Sequence, residues 1–505
     1  MQRQWYFVFA RLAVVSACLT VVPALAHTNV VGLEHFVTRS SRFIAVVTGV
    51  EETSALFSQR ESGLAHDRIA MQPLGVFELG RGRRVVVLSA AAEELLAFSD
   101  GVVTRFAVGP DEILTFVESR DALVGREVVT GEGRIRGLVL LSPKEHRRLA
   151  QDPFNLVHAV PLVLPQNLFG QEDLKTSTMS DEDRNFFSGP YLRALEKVAA
   201  QAPNRTNPVN RDRLRSDLKV LAGEASFSDA EDGGSEKTIR DRGSEAGRDL
   251  TRRYLLQRFR ALGAEADLWC YKGSYSGCNV VAKVTRPGAT RTIVVSSHLD
   301  SVRNQGADDN ASGTAALLEL VRIFSASPIP LNLALVAFDQ EELGLIGSAR
   351  MARKIGATLP GRFIGNINTD MIGYDSDNDG AFHLIDCGRK DSSWLTETAQ
   401  MAVSTWGLAL EVRPDCTNRS DHASFWKAGI PAVLISENFF GGDANRCYHE
   451  KCDRMDLINE DYYVQIVSLL QGTVRLIAES AAQVAVADGR APARHVIRSI
   501  SGSKR

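Results

Sequence analysis

Between residues 238 and 485, short apolar runs alternate with longer amphipathic ones, and this alternation constrains the fold more than any other feature of the chain. Strand-like runs fall at 279–284, 291–297, 331–338, 362–371, 381–386, 408–412 and 431–436. Helix-like runs fall at 246–262, 311–324, 345–355, 394–406, 422–428 and 458–482. Strands interleaved with helices predict an α/β three-layer sandwich around a mostly parallel central sheet. In such sheets an active site forms in the crevice beyond the C-terminal strand ends.

Those ends carry a distinctive set of residues. The run at 291 ends in S-H-L-D-S, with His298 and Asp300. Residues 306–313 then read G-A-D-D-N-A-S-G, include Asp309, and open a helix. The run at 331 ends in Gln340-Glu341-Glu342, and the run at 362 ends in Asn368-Thr369-Asp370-Met371. The segment C-Y-H-E-K-C-D, with Tyr448 and His449, precedes the last helix. Two imidazoles and several carboxylates at strand ends suit a pair of borderline divalent metals. Three carboxylate ligands (Asp309, Glu342, Asp370) against two Zn²⁺ leave a single surplus positive charge, which a bridging hydroxide removes. One zinc with the same ligands would be overneutralised and a poor Lewis acid. Each residue alone has a plainer role: Asp300 and Asp309 as turn caps, Glu341 and Glu342 as acids at a helix start, His298 as a core histidine. Taken together, the plain reading needs six coincidences.

The motifs HLDS, GADDNASG, EELGLIGS, NTDMIGY, SDHASF and CYHEKCD occur in this order. Over about residues 185–485 the chain resembles the co-catalytic dizinc aminopeptidases (peptidase clan MH), in particular the secreted leucine-type ones. The resemblance implies a zinc-exopeptidase fold and two Zn²⁺ per chain, with cobalt and manganese left open as the working metal. Asp309 would bridge the metals, His298 and Asp370 would hold one, and Glu342 and His449 the other. It further implies Glu341 as general base, Asp300 as the group orienting His298, Tyr448 as a hydrogen-bond donor to the oxyanion, and Arg419 as a substrate contact. The implied substrates are peptides with a free N-terminus, cleaved by a monomer. Carboxypeptidases and glutaminyl cyclases share this scaffold; the cyclases work with one zinc, so an intact His298 counts against them. A non-catalytic binding relative would normally have lost a ligand or the base, and all are present. His422 has no place in the ligand set and reads as structural.

Other features frame this domain. Arg3 and Arg11 precede an apolar stretch over 12–25, and Ala24-Leu25-Ala26 has the form of a cleavage site, so residues 1–26 read as an export signal. A secreted or periplasmic protein is expected, without a membrane partner once the signal is gone. Cys18 leaves with the signal, and six cysteines remain. Cys270 with Cys278 and Cys447 with Cys452 are close pairs, which leaves Cys387 with Cys416; six cysteines allow 15 connectivities, and buried thiols are the alternative. Residues 27–184 show strand-like runs at 43–47, 85–88 and 138–141, each followed by a helix-like run at 51–59, 91–98 and 143–149. They read as a smaller α/β or α+β accessory domain or propeptide. The polar stretch 203–237 reads as an outer loop of the second domain, and 486–505 as a basic disordered tail. The net charge of -3 and the lack of a basic stripe argue against nucleic acid. Residues 375–380 read D-S-D-N-D-G and, with Asp386, imitate a calcium loop. No helix pair flanks them and Asp386 falls in a strand-like run, so an acidic turn is the simpler reading and Ca²⁺ the second.

Overall fold

A computed structural model describes the strands between residues 42 and 163, residues 142, 144 and 145, and residues 181–487 apart from positions 188, 202–204, 206, 274, 303 and 328. The expected signal lies outside the described residues, as does the expected basic tail beyond residue 487; residues 486 and 487 belong to the final helix.

In the N-terminal part, β1 (Arg42–Thr48), β2 (Gln72–Gly80), β3 (Arg83–Ala91) and β4 (Val102–Phe106) form an antiparallel sheet in the order β2-β3-β1-β4. A second antiparallel sheet, β6-β7-β5-β8, is built from β5 (Ile113–Ser119), β6 (Arg126–Thr130), β7 (Arg136–Leu141) and β8 (Leu156–Val163). The three expected strands fall within β1, β3 and β7. Of the helix-like runs, 51–59 lies outside the described residues. So does 91–98, except for Ala91, which ends β3. At the third run Ser142 Oγ accepts the Glu145 amide while Glu145 returns a bond to the Ser142 amide. This reciprocal pair is a helix-start signature, and residues 144–145 are helical.

The second part opens with α1 (Asp181–Phe186), α2 (Gly189–Ala200) and α3 (Arg211–Leu221), then a hairpin of β9 (Phe227–Asp229) and β10 (Ser235–Lys237), and α4 (Glu245–Ala261). The stretch expected as an outer loop is therefore partly helical. Leu214, Leu218 and Leu221 recur on one face and are buried, and Asn210 caps the helix by accepting the Arg213 amide.

The central sheet has eight strands: β11 (Glu265–Tyr271), β12 (Gly277–Val284), β13 (Arg291–His298), β14 (Asn332–Phe338), β15 (Arg362–Thr369), β16 (Ala381–Ile385), β17 (Glu411–Arg413) and β18 (Ala432–Glu437). Their order is β11-β12-β14-β13-β15-β18-β16-β17. Pairing is parallel through the middle, from β14 to β18, and between β16 and β17. It is antiparallel at β11–β12, β12–β14 and β16–β18. Edge strand β11 escaped the sequence reading because its short polar-rich text E-A-D-L-W-C-Y leaves even Leu268 42 % exposed.

Helices α5 (Gly313–Ala326), α6 (Ile346–Thr358), α7 (Ser393–Trp406), α8 (His422–Lys427) and α9 (Glu460–Ala487) complete the layers. Side chains alternate across a strand. Leu333, Leu335 and Ala337 of β14 join one core with α2, α4, α5, α7 and α9, whereas Ala334, Val336 and Phe338 join another with α6 and α8. Burial on both faces explains the unbroken apolar text of β14, whose seven residues are all buried. The fold is thus the expected α/β three-layer sandwich. All three cysteine pairs are joined, Cys270–Cys278, Cys387–Cys416 and Cys447–Cys452. Among the described residues, no helix is long and apolar enough to cross a membrane.

Candidate metal centre

β13, β14 and β15 run parallel, so their C-terminal ends open on one edge of the sheet. His298 is the last residue of β13, Glu341 and Glu342 follow β14, and Asp370 follows β15. Asp309 comes from an irregular turn at Ala307–Ser312 that feeds α5. That turn is pinned from below by Arg242, which is 1 % exposed. Its guanidinium donates to the carbonyls of Leu299, Leu221, Gln305, Gly306 and Asp309. Gly306 has φ 54°, and a Cβ there would stand 2.2 Å from the Asp309 carbonyl, so this position needs glycine.

Asp309 stands between the two histidines. Its Oδ1 lies 3.2 Å from His298 Nε2 and its Oδ2 lies 3.1 Å from His449 Nε2. His298 Nε2 is also 3.1 Å from Asp370 Oδ1, and His449 Nε2 is 3.3 Å from Glu342 Oε2. Two ligand sets, His298–Asp309–Asp370 and Asp309–Glu342–His449, therefore share one carboxylate, and the Glu341 carboxylate lies within 4.8 Å of His298 and Glu342. Glu342 Oε1 is buried and accepts no hydrogen bond. Imidazole nitrogens and carboxylates with a spare buried oxygen fit two borderline divalent cations, such as zinc.

The electrostatics agree with a cation-binding cluster. Burial and the neighbouring Asp309 charge push Glu342 up to about 7. Burial also raises Glu341 well above the usual carboxylate range, against the pull of His298. For His449 burial disfavours the charged form, but Glu342 and Asp309 outweigh it and hold the imidazole up at about 10. Gln340, Met371 and His449 all have positive φ, near 63°, 52° and 59°. Such conformations in non-glycine residues persist where the surrounding structure enforces them, and here they flank or carry the cluster.

Asp300 lies beside His298, the residue it was expected to orient. His298 Nδ1 is 3.2 Å from the Asp300 carbonyl and 3.6 Å from its carboxylate. The carboxylate accepts the amides of Glu341 at 3.1 Å and Glu342 at 3.2 Å, so Asp300 anchors both strand ends. Tyr448 stacks on the His449 ring at 3.8 Å, and Arg419 Nη2 lies 3.5 Å from its hydroxyl. His422 sits apart, fully buried, with Nε2 3.0 Å from the Thr417 carbonyl.

Sequence reasoning missed the buried layer behind the cluster. Asp308 Oδ1 accepts the Gly373 amide and its Oδ2 accepts Asn445 Nδ2. Asp453 accepts the amides of Asp308 and Asp309, and Glu437 accepts the Tyr374 amide. Asp453 closes the C-Y-H-E-K-C-D motif, and that placement was its only signal. Arg242 sat unmarked in a charge-rich stretch.

The α/β sandwich thus carries its candidate metal ligands at and beyond the C-terminal ends of its central strands. Residues 279–474 match the model of Peptidase family M28. Leupeptin-inactivating enzyme 1 of Streptomyces exfoliatus is 29 % identical over 293 residues, 54 % of this chain and 64 % of that protein. An aminopeptidase of Pseudomonas aeruginosa strain UCBPP-PA14 is 30 % identical over 206 residues, 36 % of this chain and 38 % of that one. The chain thus spans less than two thirds of each of these relatives. The crystal structure of the Legionella pneumophila LapA aminopeptidase shares the fold, with a TM-score of 0.50 at 18 % identity over 73 % of this chain and 99 % of that one.

Proposed function

We propose that the protein is an extracytoplasmic two-zinc aminopeptidase that removes residues from the free N-terminus of peptides. The observation that carries this reading is Asp309, one oxygen facing His298 and the other His449. Each histidine has its own second carboxylate, Asp370 and Glu342. Names of relatives support the substrate class, and three disulfides support an oxidising compartment.

In this reading His298, Asp309 and Asp370 hold one zinc, and Asp309, Glu342 and His449 the other. Bound zinc would supply Lewis acidity toward the scissile carbonyl and toward water. Glu341 takes the proton from the attacking water and delivers it to the leaving amine. Burial raises its pKa above the usual carboxylate range, which makes it a stronger base toward the attacking water. Asp300 fixes the Glu341 and Glu342 backbones, so base and ligand keep their relative positions. Tyr448 donates to the developing oxyanion, and Arg419 beside its hydroxyl contacts the substrate. Residues 27–184 act as an accessory domain or propeptide.

The test is hydrolysis of leucine anilide against its N-acetylated form by the zinc-loaded protein. Turnover of the free amine alone is expected. Cleavage of neither substrate, from protein shown to hold two zincs, would contradict the reading and favour a carboxypeptidase.

A further inference from the structure

A second cluster of acids lies beside the first, on the turn that follows β15. Asp375, Asp377, Asp379 and Asp443 each place a carboxylate oxygen within 4.8 Å of the others. The first three come from the D-S-D-N-D-G turn, and the fourth from the loop between β18 and His449. Asp386, the sequence's candidate for this role, is elsewhere: it accepts the Gly388 amide and the Thr396 hydroxyl. Asp443 takes the place expected of it.

We infer that these four aspartates form a Ca²⁺ site, separate from the zinc ligands, that ties the Asp370 segment to the His449 segment. Two of the acids are buried, Asp443 at 2 % and Asp375 at 8 % exposure. Asp375 Oδ1 is enclosed and accepts no hydrogen bond, although its neighbour Oδ2 takes the Gly380 amide. A carboxylate buried beside other carboxylates, with an oxygen left unpaired, is costly unless a cation answers it. Among the described residues, the cation paired with this cluster is Arg413, 3.8 Å from Asp379 Oδ2 and 44 % exposed at the rim.

Neutral donors fix the geometry without supplying charge. Ser376 gives both its amide and its hydroxyl to Asp443 Oδ1, and Asn438 Nδ2 reaches Oδ2 at 3.2 Å. Alternate acids ending at Gly380 wrap the turn around a point. Gly380 has φ 70°, and a Cβ there would stand 2.3 Å from the Ala409 carbonyl. An all-oxygen, strongly anionic set with an irregular outline suits Ca²⁺, which accepts six to eight oxygens in flexible geometry. Zinc prefers nitrogen or sulfur, and none is offered.

The consequence is mechanical. Asp375 lies five residues beyond Asp370, and Asp443 six before His449. An ion between them clamps segments that each carry a metal ligand, so calcium should raise thermal stability without entering the chemistry.

The experiment uses the full chain, dialysed into calcium-free buffer with excess zinc, and titrated calorimetrically with CaCl₂ while Tm is followed. The expected result is one calcium per chain and a Tm rise of roughly 5 °C at about 100 times Kd. The double variant Asp377→Asn/Asp379→Asn changes the more exposed acids, so its folding and zinc content should be those of wild type. It should lose both the heat and the shift. No calcium heat in wild type would overturn the inference and leave an acidic turn. An undiminished shift in the double variant would overturn it by placing the ion elsewhere. Because hydrolysis is not read, failure here leaves the aminopeptidase reading untouched, and failure of that reading leaves this test intact.

Discussion

The Asp453 carboxylate accepts the Asp309 amide at 3.0 Å, with the Asp308 amide on its other oxygen at 2.9 Å. The segment that supplies His449 therefore also holds the backbone of the carboxylate His449 faces. Asp453→Asn keeps one acceptor and turns an NH₂ toward a backbone donor. Zinc affinity, read by competition with a chelator, should fall roughly 10–100-fold, as for other groups that orient metal ligands. Unchanged affinity would reduce Asp453 to a packing residue.

The disulfides should separate stability from metal binding. Cys447–Cys452 closes a short loop around His449, with a sequence separation of 5. Cys387–Cys416 closes a longer one, with a separation of 29. Chain entropy assigns about 2 kcal/mol to the first and about 3.5 kcal/mol to the second. Paired serine substitutions at 387 and 416 should lower the denaturation midpoint more, while those at 447 and 452 should weaken zinc binding more. The reverse order would mean that Cys447–Cys452 does not brace its ligand.

His422 sets an acid limit. Burial pulls its pKa down to about 4 from an ordinary 6.5, against the hydrogen bond to Thr417. The folded state thus binds fewer protons than the unfolded one, so this stability is complete above pH 6.5. It is lost as pH falls from 6.5 toward 4, in total about 3 kcal/mol. His422→Asn should flatten the fall in unfolding free energy between pH 6.5 and 4.5. An identical slope in the variant would contradict this assignment.

Glu341→Gln keeps the shape of the side chain and removes the base. If Glu341 moves the proton, kcat should fall roughly 10²–10⁴-fold with zinc content and KM near wild type. Loss of zinc in step with activity would make Glu341 a ligand instead, a role its distance from His298 also permits.

The candidate residues His298, Glu341, Glu342 and Asp370 were legible because they stand at or just beyond the ends of β13, β14 and β15, strands buried along most of their length. Asp300 was legible as a neighbour of His298, yet its bonds to the Glu341 and Glu342 amides depend on how two strand ends meet in space. Arg242 acts on five carbonyls, and no side-chain pattern records backbone acceptors. Asp443 joins Asp375 across 68 positions of chain (443 minus 375), beyond the reach of any local motif, which is why Asp386 was the natural candidate. In the N-terminal part β1, β3 and β7 read as strands from their apolar runs. Strands such as β6, R-E-V-V-T, were too short and polar to stand out.

The central claim is that Asp309 is shared by two metals, and zinc analysis of purified wild type and Asp309→Asn tests it most directly. The account predicts two zincs per wild-type chain, and loss of affinity at both positions in the variant. One zinc per wild-type chain, or a variant that loses one zinc and keeps the other at undiminished affinity, would contradict it.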